Sequence, residues 1–171
     1  MQKEVELLQY YLSCMVNNKI SGINPVGNRA GRALKSIFER LKGINAAGVD
    51  VVDIGMVPTP VTYFAAYELG TLSCVSVTGS HNPPDYNGLK MVVGGDAIHG
   101  ESITRLGEEI AAGRHTPVPA AQRGGLREVS LTQRYIDRIV GDVKLARPMK
   151  IAIDCGNGVA GAVAPELFKR L

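Results

Sequence analysis

An α/β fold built on a mostly parallel sheet is what this sequence predicts, and two observations predict it. Strand-like and helix-like periodicities alternate from residue 49 onward, the pattern that layers helices on a parallel sheet. The strand-like runs are short, rich in valine or isoleucine, and closed by glycine or proline turns, as buried strands are. A hydrophobic fraction of 45% over 171 residues is ample for one core, with room for the start of a second.

Residues 3–17 put Val5, Leu8, Leu12 and Met15 on one helical stripe, and Ser21 to Gly27 interrupts it with two glycines and Pro25. A second amphipathic helix follows through Ala30, Ala33, Leu34, Ile37, Phe38 and Leu41. Val49 to Ile54 is expected as a strand ended by Gly55, and a helix starts near Pro60, where proline suits the first turn. Leu72 to Thr78 and Leu89 to Val93 are expected strands, the second announced by Asn87-Gly88. Ile103, Leu106 and Ile110 mark a helix from about Glu101 to Ala112.

Gly113 to Arg127, rich in Gly, Pro and Arg, is expected to be a mobile surface connection. Leu131, Tyr135, Ile139 and Val143, four apart, predict the next helix, and Pro148 closes it. Met149 to Asp154 is expected as a buried strand, Cys155 to Gly158 as a glycine turn, and Val159, Val163, Leu167 and Leu171 as a last helical stripe. That stripe stops without a cap, so the chain is expected to be a truncated protein.

The formal charge is +3 and aromatic residues make up 5%. Scattered basic residues with few aromatics give no surface for tracking nucleic acid. Cys14, Cys74 and Cys155 are odd in number and far apart, neither a disulfide framework nor a zinc pattern, which points to a reducing, cytoplasmic setting. The opening Met-Gln-Lys-Glu-Val-Glu is too acidic for a signal peptide, and no apolar run is long enough to span a membrane.

The most informative segment runs from Thr78 to Lys90: Thr-Gly-Ser-His-Asn-Pro-Pro-Asp-Tyr-Asn-Gly-Leu-Lys. Gly79 permits a sharp exit from the strand. Pro83 and Pro84 hold themselves and Asn82 extended. Asn87-Gly88 turns the chain back. The expected result is a stiff loop presenting Ser80 at the carboxyl end of a central strand, where open α/β sheets bind ligands. His81 adjoins Ser80, so their side chains diverge, and the Gly-x-Ser-x-Gly nucleophile elbow is absent; a triad hydrolase is a poor fit. Taken singly, Ser80 could be a turn-capping serine and Lys90 a solvated strand lysine.

The whole string closely resembles the active-site serine loop of the α-D-phosphohexomutase (phosphoglucomutase/phosphomannomutase) family. Val49 to Pro60 resembles the strand and loop that precede it there. Lys144 to Gly161, above all Asp154-Cys155-Gly156-Asn157-Gly158-Val159-Ala160-Gly161, resembles the opening of the family's second domain in its bacterial branch. The likeness covers roughly residues 46 to 171. It implies a three-layer α/β/α domain with a mostly parallel mixed sheet over residues 46–147, the start of a second similar domain at 148–171, and a divergent helical segment at 1–45.

The resemblance also implies chemistry. Ser80 would be phosphorylated and carry the transferred group, and a phosphoserine oxygen would be one ligand of Mg2+. Phosphoserine bears about −1.5 to −2 charges, and magnesium favours carboxylate and phosphate oxygens. His81 and Asn82 would position the phosphoryl group or sugar hydroxyls, and Lys90 would neutralise charge or assist proton transfer. Substrates would be hexose 1- and 6-phosphates of glucose or mannose, with a hexose 1,6-bisphosphate as intermediate and activator.

The family's Tyr-Asp-Ile-Arg-Gly and Gly-Arg-Asp-x-Arg segments are not found, and Arg29 and Arg32 fit a solvated helix face. The aspartate-rich metal loop and the sugar-selecting domains of the family have no counterpart before Leu171, so the 171 residues alone are expected to show little or no mutase activity. Two alternatives stand beside this. One is a non-catalytic α/β remnant that binds a sugar phosphate or a partner. The other is a dinucleotide-binding module on Gly156-x-Gly158-x-x-Gly161. His99 and His115 are assigned no role, and the sequence does not decide the oligomeric state.

Overall fold

The computed structural model describes residues 43–78, 88–113, 118–156 and 158–171. The stripes expected at 3–17 and 30–41 lie outside them. After a helical turn at 43–46, the order is β1 (Val51–Asp53), α1 (Thr59–Glu68), β2 (Cys74–Thr78), β3 (Gly88–Val93), β4 (Asp96–Ala97), α2 (Glu101–Ala111), a 3-10 turn (Ala120–Gln122), β5 (Leu126–Glu128), α3 (Thr132–Asp142), a second 3-10 turn (Val159–Ala162) and α4 (Ala164–Arg170). Strands and helices are interspersed, though β2, β3 and β4 follow one another with no helix between them among the described residues, and the pairings are mixed. β1 pairs with β5 in parallel, while β2, β3 and β4 form an antiparallel ladder in that order.

Local chemistry sets the ends. Asp53 Oδ1 accepts from the Gly55 N–H at 2.8 Å, and Gly55 takes φ +76°, which closes β1. Pro60 sits in the first turn of α1, where its missing N–H would have had no helical partner anyway. The β3–β4 hairpin turns on Gly94 and Gly95, both with positive φ (60° and 93°), and Val93 pairs with Asp96 across them. That two-residue turn matches the twist of its strands. Its amides reach further: Gly95 N–H donates to Leu72 O at 2.7 Å and Gly94 N–H to Ser73 Oγ at 3.0 Å.

One packed cluster and a separate set of buried side chains hold these elements. Met91, Leu106 and Ile110 are buried together, with Val75, Leu89 and Ile98 packed against them, so α2 covers one face of β2 and β3. Elsewhere Val61, Leu131 and Ile136 are fully buried, each stabilising by about 1.5–3 kcal/mol. α1 contacts both β2 and α3. Phe64 meets Tyr135 edge to face at 5.5 Å between ring centroids, and Arg134 reaches Glu68 at 3.5 Å.

Two expectations need correction. Part of the stretch expected to be a mobile connection is structured: it holds the 3-10 turn and the first two residues of β5. Gly124 there lies so close to Val49 that a Cβ would overlap the Val49 carbonyl. Its N–H donates to Asn45 O at 2.8 Å, and the Val51 N–H donates to Gly125 O at 2.8 Å. Gly-rich composition here serves close backbone approach rather than mobility.

The expected buried strand at Met149 to Asp154 is neither buried nor assigned as a strand. Met149, Ile151 and Ile153 are exposed at 51%, 46% and 45%. The β-pattern is present, but a strand is completed by a neighbour's hydrogen bonds, and none of the described strands pairs with it. Ile103, expected inside, is also exposed; α2 turns only Leu106 and Ile110 inward.

Candidate functional site

The segment that carries the expected chemistry joins β2 to β3. β2 ends at Thr78 and β3 begins at Gly88, and these two residues are the last pair of the antiparallel ladder. The two ends of the Ser80 loop are therefore pinned side by side, at a pair separation of about 5 Å. Ser80, His81 and Asn82 themselves lie outside the described residues.

Lys90 lies within them. It is exposed on β3, opposite Ser76, two residues or about 7 Å along the strand from Gly88. Alternation divides the ladder into two faces. Val75, Leu89 and Met91 point to the cluster under α2; Lys90, Ser76, Thr78 and Cys74 take the opposite face. The ladder thus keeps a lysine cation out of the core, on the strand leaving the serine loop. An ammonium on a flexible stem there suits a phosphate or phosphosugar oxygen.

Ser76 was not singled out by any motif. The register brings it beside Lys90, and period-two spacing from Thr78 was the available signal. Cys74, further along the same face, is half-buried, and burial pushes its thiol above the ordinary range. It is therefore kept as a neutral thiol. His99 is exposed beyond β4, while His115 lies outside the described residues.

Among the described residues no three His, Cys, Asp or Glu side chains gather to hold a metal ion. These residues do not by themselves fit a magnesium site. The dinucleotide alternative also loses its frame. Gly156, with φ +50°, and Gly158 build a turn in which the Gly158 N–H donates to Cys155 O at 2.8 Å. No strand is assigned before the turn, and a 3-10 turn rather than a long helix follows it. The fingerprint requires a strand–turn–helix unit.

Comparison with known proteins bears on the same segment. A family model described as phosphoglucomutase/phosphomannomutase, alpha/beta/alpha domain I matches residues 28–116. A phosphomannomutase/phosphoglucomutase of Pseudomonas putida is 46% identical over 135 residues, covering 79% of this chain and 28% of that protein. A phosphoglucomutase of Neisseria gonorrhoeae is 46% identical over 145 residues, covering 85% of this chain and 31% of its own length. The crystal structure of a phosphoglucomutase/phosphomannomutase family protein from Burkholderia thailandensis superposes with a TM-score of 0.73 at 38% identity, covering 98% of this chain and 38% of that one. The three-layer α/β/α reading is borne out. The chain spans under a third of the length of these curated relatives.

Proposed function

The chain belongs to the phosphoglucomutase/phosphomannomutase family, and on that premise we propose that it is the serine-bearing portion of a phosphohexomutase. Ser80 carries the phosphoryl group. A hydroxyl of a hexose 1- or 6-phosphate attacks that phosphorus, the bond to Ser80 Oγ breaks, and a hexose 1,6-bisphosphate results. After the sugar reorients, Ser80 Oγ attacks the other phosphate and regains a phosphoryl group. The net change moves phosphate between C1 and C6.

Such a transfer is governed by placement and by stabilisation of oxygen charge. Lys90 supplies a cation beside the loop, and His81 and Asn82 orient the phosphoryl oxygens or sugar hydroxyls. Magnesium is the proposed metal, with a Ser80 phosphate oxygen as one ligand and the others drawn from outside the residues described. Glucose and mannose phosphates are the proposed substrates, as the names of the relatives indicate for those proteins. The proposed setting is the cytoplasm.

The observation that carries the reading is the Thr78–Gly88 pair. It clamps the base of a segment that lies within the region matched by the family model and whose sequence resembles the family's serine loop, and it leaves Lys90 exposed on β3. The test is to purify the protein from its own cells, measure its intact mass and map its phosphate. Phosphate on Ser80, removed by Ser80→Ala, is the expected result. A protein carrying no phosphate at Ser80 overturns the proposal and favours the non-catalytic remnant.

A further inference from the structure

Leu72 holds a backbone conformation that its side chain disfavours. Among the described residues it is the one non-glycine residue with positive φ, +51°, a region that crowds the Cβ of an L-residue. Such a conformation persists where the surroundings over-determine it, and here they do. The Leu72 N–H donates to Ala66 O of α1 at 2.9 Å, and the Leu72 carbonyl accepts from the Gly95 N–H at 2.7 Å. Beside it, Ser73 Oγ accepts from the Gly94 N–H at 3.0 Å. Thr71 Oγ1 donates to Ser73 O at 3.1 Å, which steadies the Ser73 backbone. The turn before β2 is thus tied to α1 on one side and to the tip of the β3–β4 hairpin on the other. Both ties lie at the end of the β2–β3 ladder remote from the Ser80 loop.

These ties distinguish registers that side-chain alternation does not. A slip of β3 against β2 by one residue exchanges its faces, and the apolar cluster under α2 opposes it. A slip by two keeps every side chain on its own face. Lys90 would then lie opposite Thr78 or Cys74 instead of Ser76, still away from the cluster. In a tight hairpin the turn sets the register, but β2 and β3 are joined through residues 79–87, more than the about two to five residues of such turns. The Gly94 and Gly95 amides directly follow β3. A two-residue slip carries them about 7 Å along the strand and breaks the bonds to both Leu72 and Ser73.

We propose that the Leu72–Ser73 turn is a register lock. By holding the β3–β4 tip it selects, among the registers that preserve the faces, the one that pairs Thr78 with Gly88 and Ser76 with Lys90. It therefore places Lys90 and the base of the Ser80 loop from the far end of the ladder. Leu72 and Ser73 act through the strands and are positioning residues. The consequence for phosphoryl transfer rests on the function proposed above; the register itself does not, and it is measured separately from phosphate on Ser80.

The test is nuclear magnetic resonance of the full 171-residue chain, reading cross-strand proton contacts between Ser76 and Lys90 and amide exchange in β2, β3 and α3. Leu72→Val puts a β-branched side chain where positive φ is most strained. It is expected to weaken the Ser76–Lys90 contact and to speed exchange in β2 and β3 by about tenfold, with α3 near the parent rates. Leu72→Gly permits the same backbone shape and keeps both backbone bonds, so it is expected to hold the parent register. Ser73→Ala removes the acceptor for Gly94 and is expected to speed exchange in β2 and β3 by about threefold. Ser73→Thr keeps a hydroxyl and is expected to restore the parent rates. The two Ser73 variants decide the matter if Leu72→Val does not fold. Parent-like contacts and exchange in a folded Leu72→Val or in Ser73→Ala overturn the proposal. So does equal loosening by Leu72→Gly and Leu72→Val, which assigns the effect to the leucine side chain. Loosening that spreads equally to α3 also overturns it, as general instability.

Discussion

Gly124→Ala should be among the most damaging single-methyl additions to this chain, because of one backbone crossing. An added Cβ would overlap the Val49 carbonyl and crowd the Asp50 nitrogen. Relief requires moving the 118–125 segment away from residues 45–51. That movement puts at risk the Gly124 N–H bond to Asn45 O and the Val51 N–H bond to Gly125 O, both at 2.8 Å. It also strains the Gly125 N–H bond to Asp50 Oδ1 at 2.7 Å and the Asn45 Nδ2 bond to Gly125 O at 2.8 Å. Losing two such bonds at about 1 kcal/mol each, plus about 1 kcal/mol for residual crowding, gives about 3 kcal/mol. For a chain of this size that corresponds to a fall in Tm of about 6–12 °C.

Its neighbour supplies the control. A Cβ at Gly125 meets only Asp50 Oδ1 at 3.6 Å, an ordinary contact, so Gly125→Ala should cost under about 1 kcal/mol. Urea unfolding followed by circular dichroism compares the two. Equal stability of Gly124→Ala and Gly125→Ala would refute the close-approach argument.

The other expectations are simpler. Ile136 is fully buried on α3, so Ile136→Ala should lose about 2–5 kcal/mol in the same unfolding assay; a loss below 1 kcal/mol would contradict its place in the core. Asp137 accepts hydrogen bonds from Arg170 at 2.6 Å and Gln133 at 3.1 Å, and the Arg170 bond first, then the Gln133 bond, hold its carboxyl below the ordinary value of 3.8. A depressed folded value means the stabilising contribution is present above that ordinary value and is lost as pH falls through the lower folded one. Asp137→Asn should therefore narrow its stability gap to the parent as pH drops below about 4, measured by thermal melts across pH; a gap that widens on acidification would reverse the sign assigned here.

Much of this architecture was legible in the residues, and the misses have physical causes. Leu106 and Ile110 could be placed because a helix repeats its buried face every three or four positions. Ile136 was missed because the four-apart series through Leu131, Tyr135 and Ile139 drew the stripe one position away from it. β4 was missed although Gly94-Gly95 is a hairpin signal, because two residues are too few for any periodicity. β5 was missed because it is short and fully exposed, with burial too slight to impose alternation. Gly124 looked like loop composition; only the fold shows that it has a neighbour's carbonyl against it. Of the proposed site, Ser80, His81, Asn82 and Lys90 are marked by a contiguous string, which needs no folding to be seen. Ser76 joins Lys90 only through strand register, which a one-dimensional reading does not contain.

That register is where core and site meet. Met91 lies next to Lys90 in sequence, and the two point to opposite faces of β3. The packing of Met91 and Leu89 against Leu106 and Ile110 therefore dictates which face Lys90 occupies. A slip of one residue against β2 would carry Lys90 into the apolar cluster and Met91 out to solvent, exchanging a buried thioether for a buried ammonium without a partner. Desolvating that charge costs several kcal/mol, more than the slip could recover. The same slip would separate Thr78 from Gly88 and so unpin the base of the serine loop. Helix α2 thus maintains the placement of a cation it does not touch, and the serine loop depends on residues that carry no chemistry of their own.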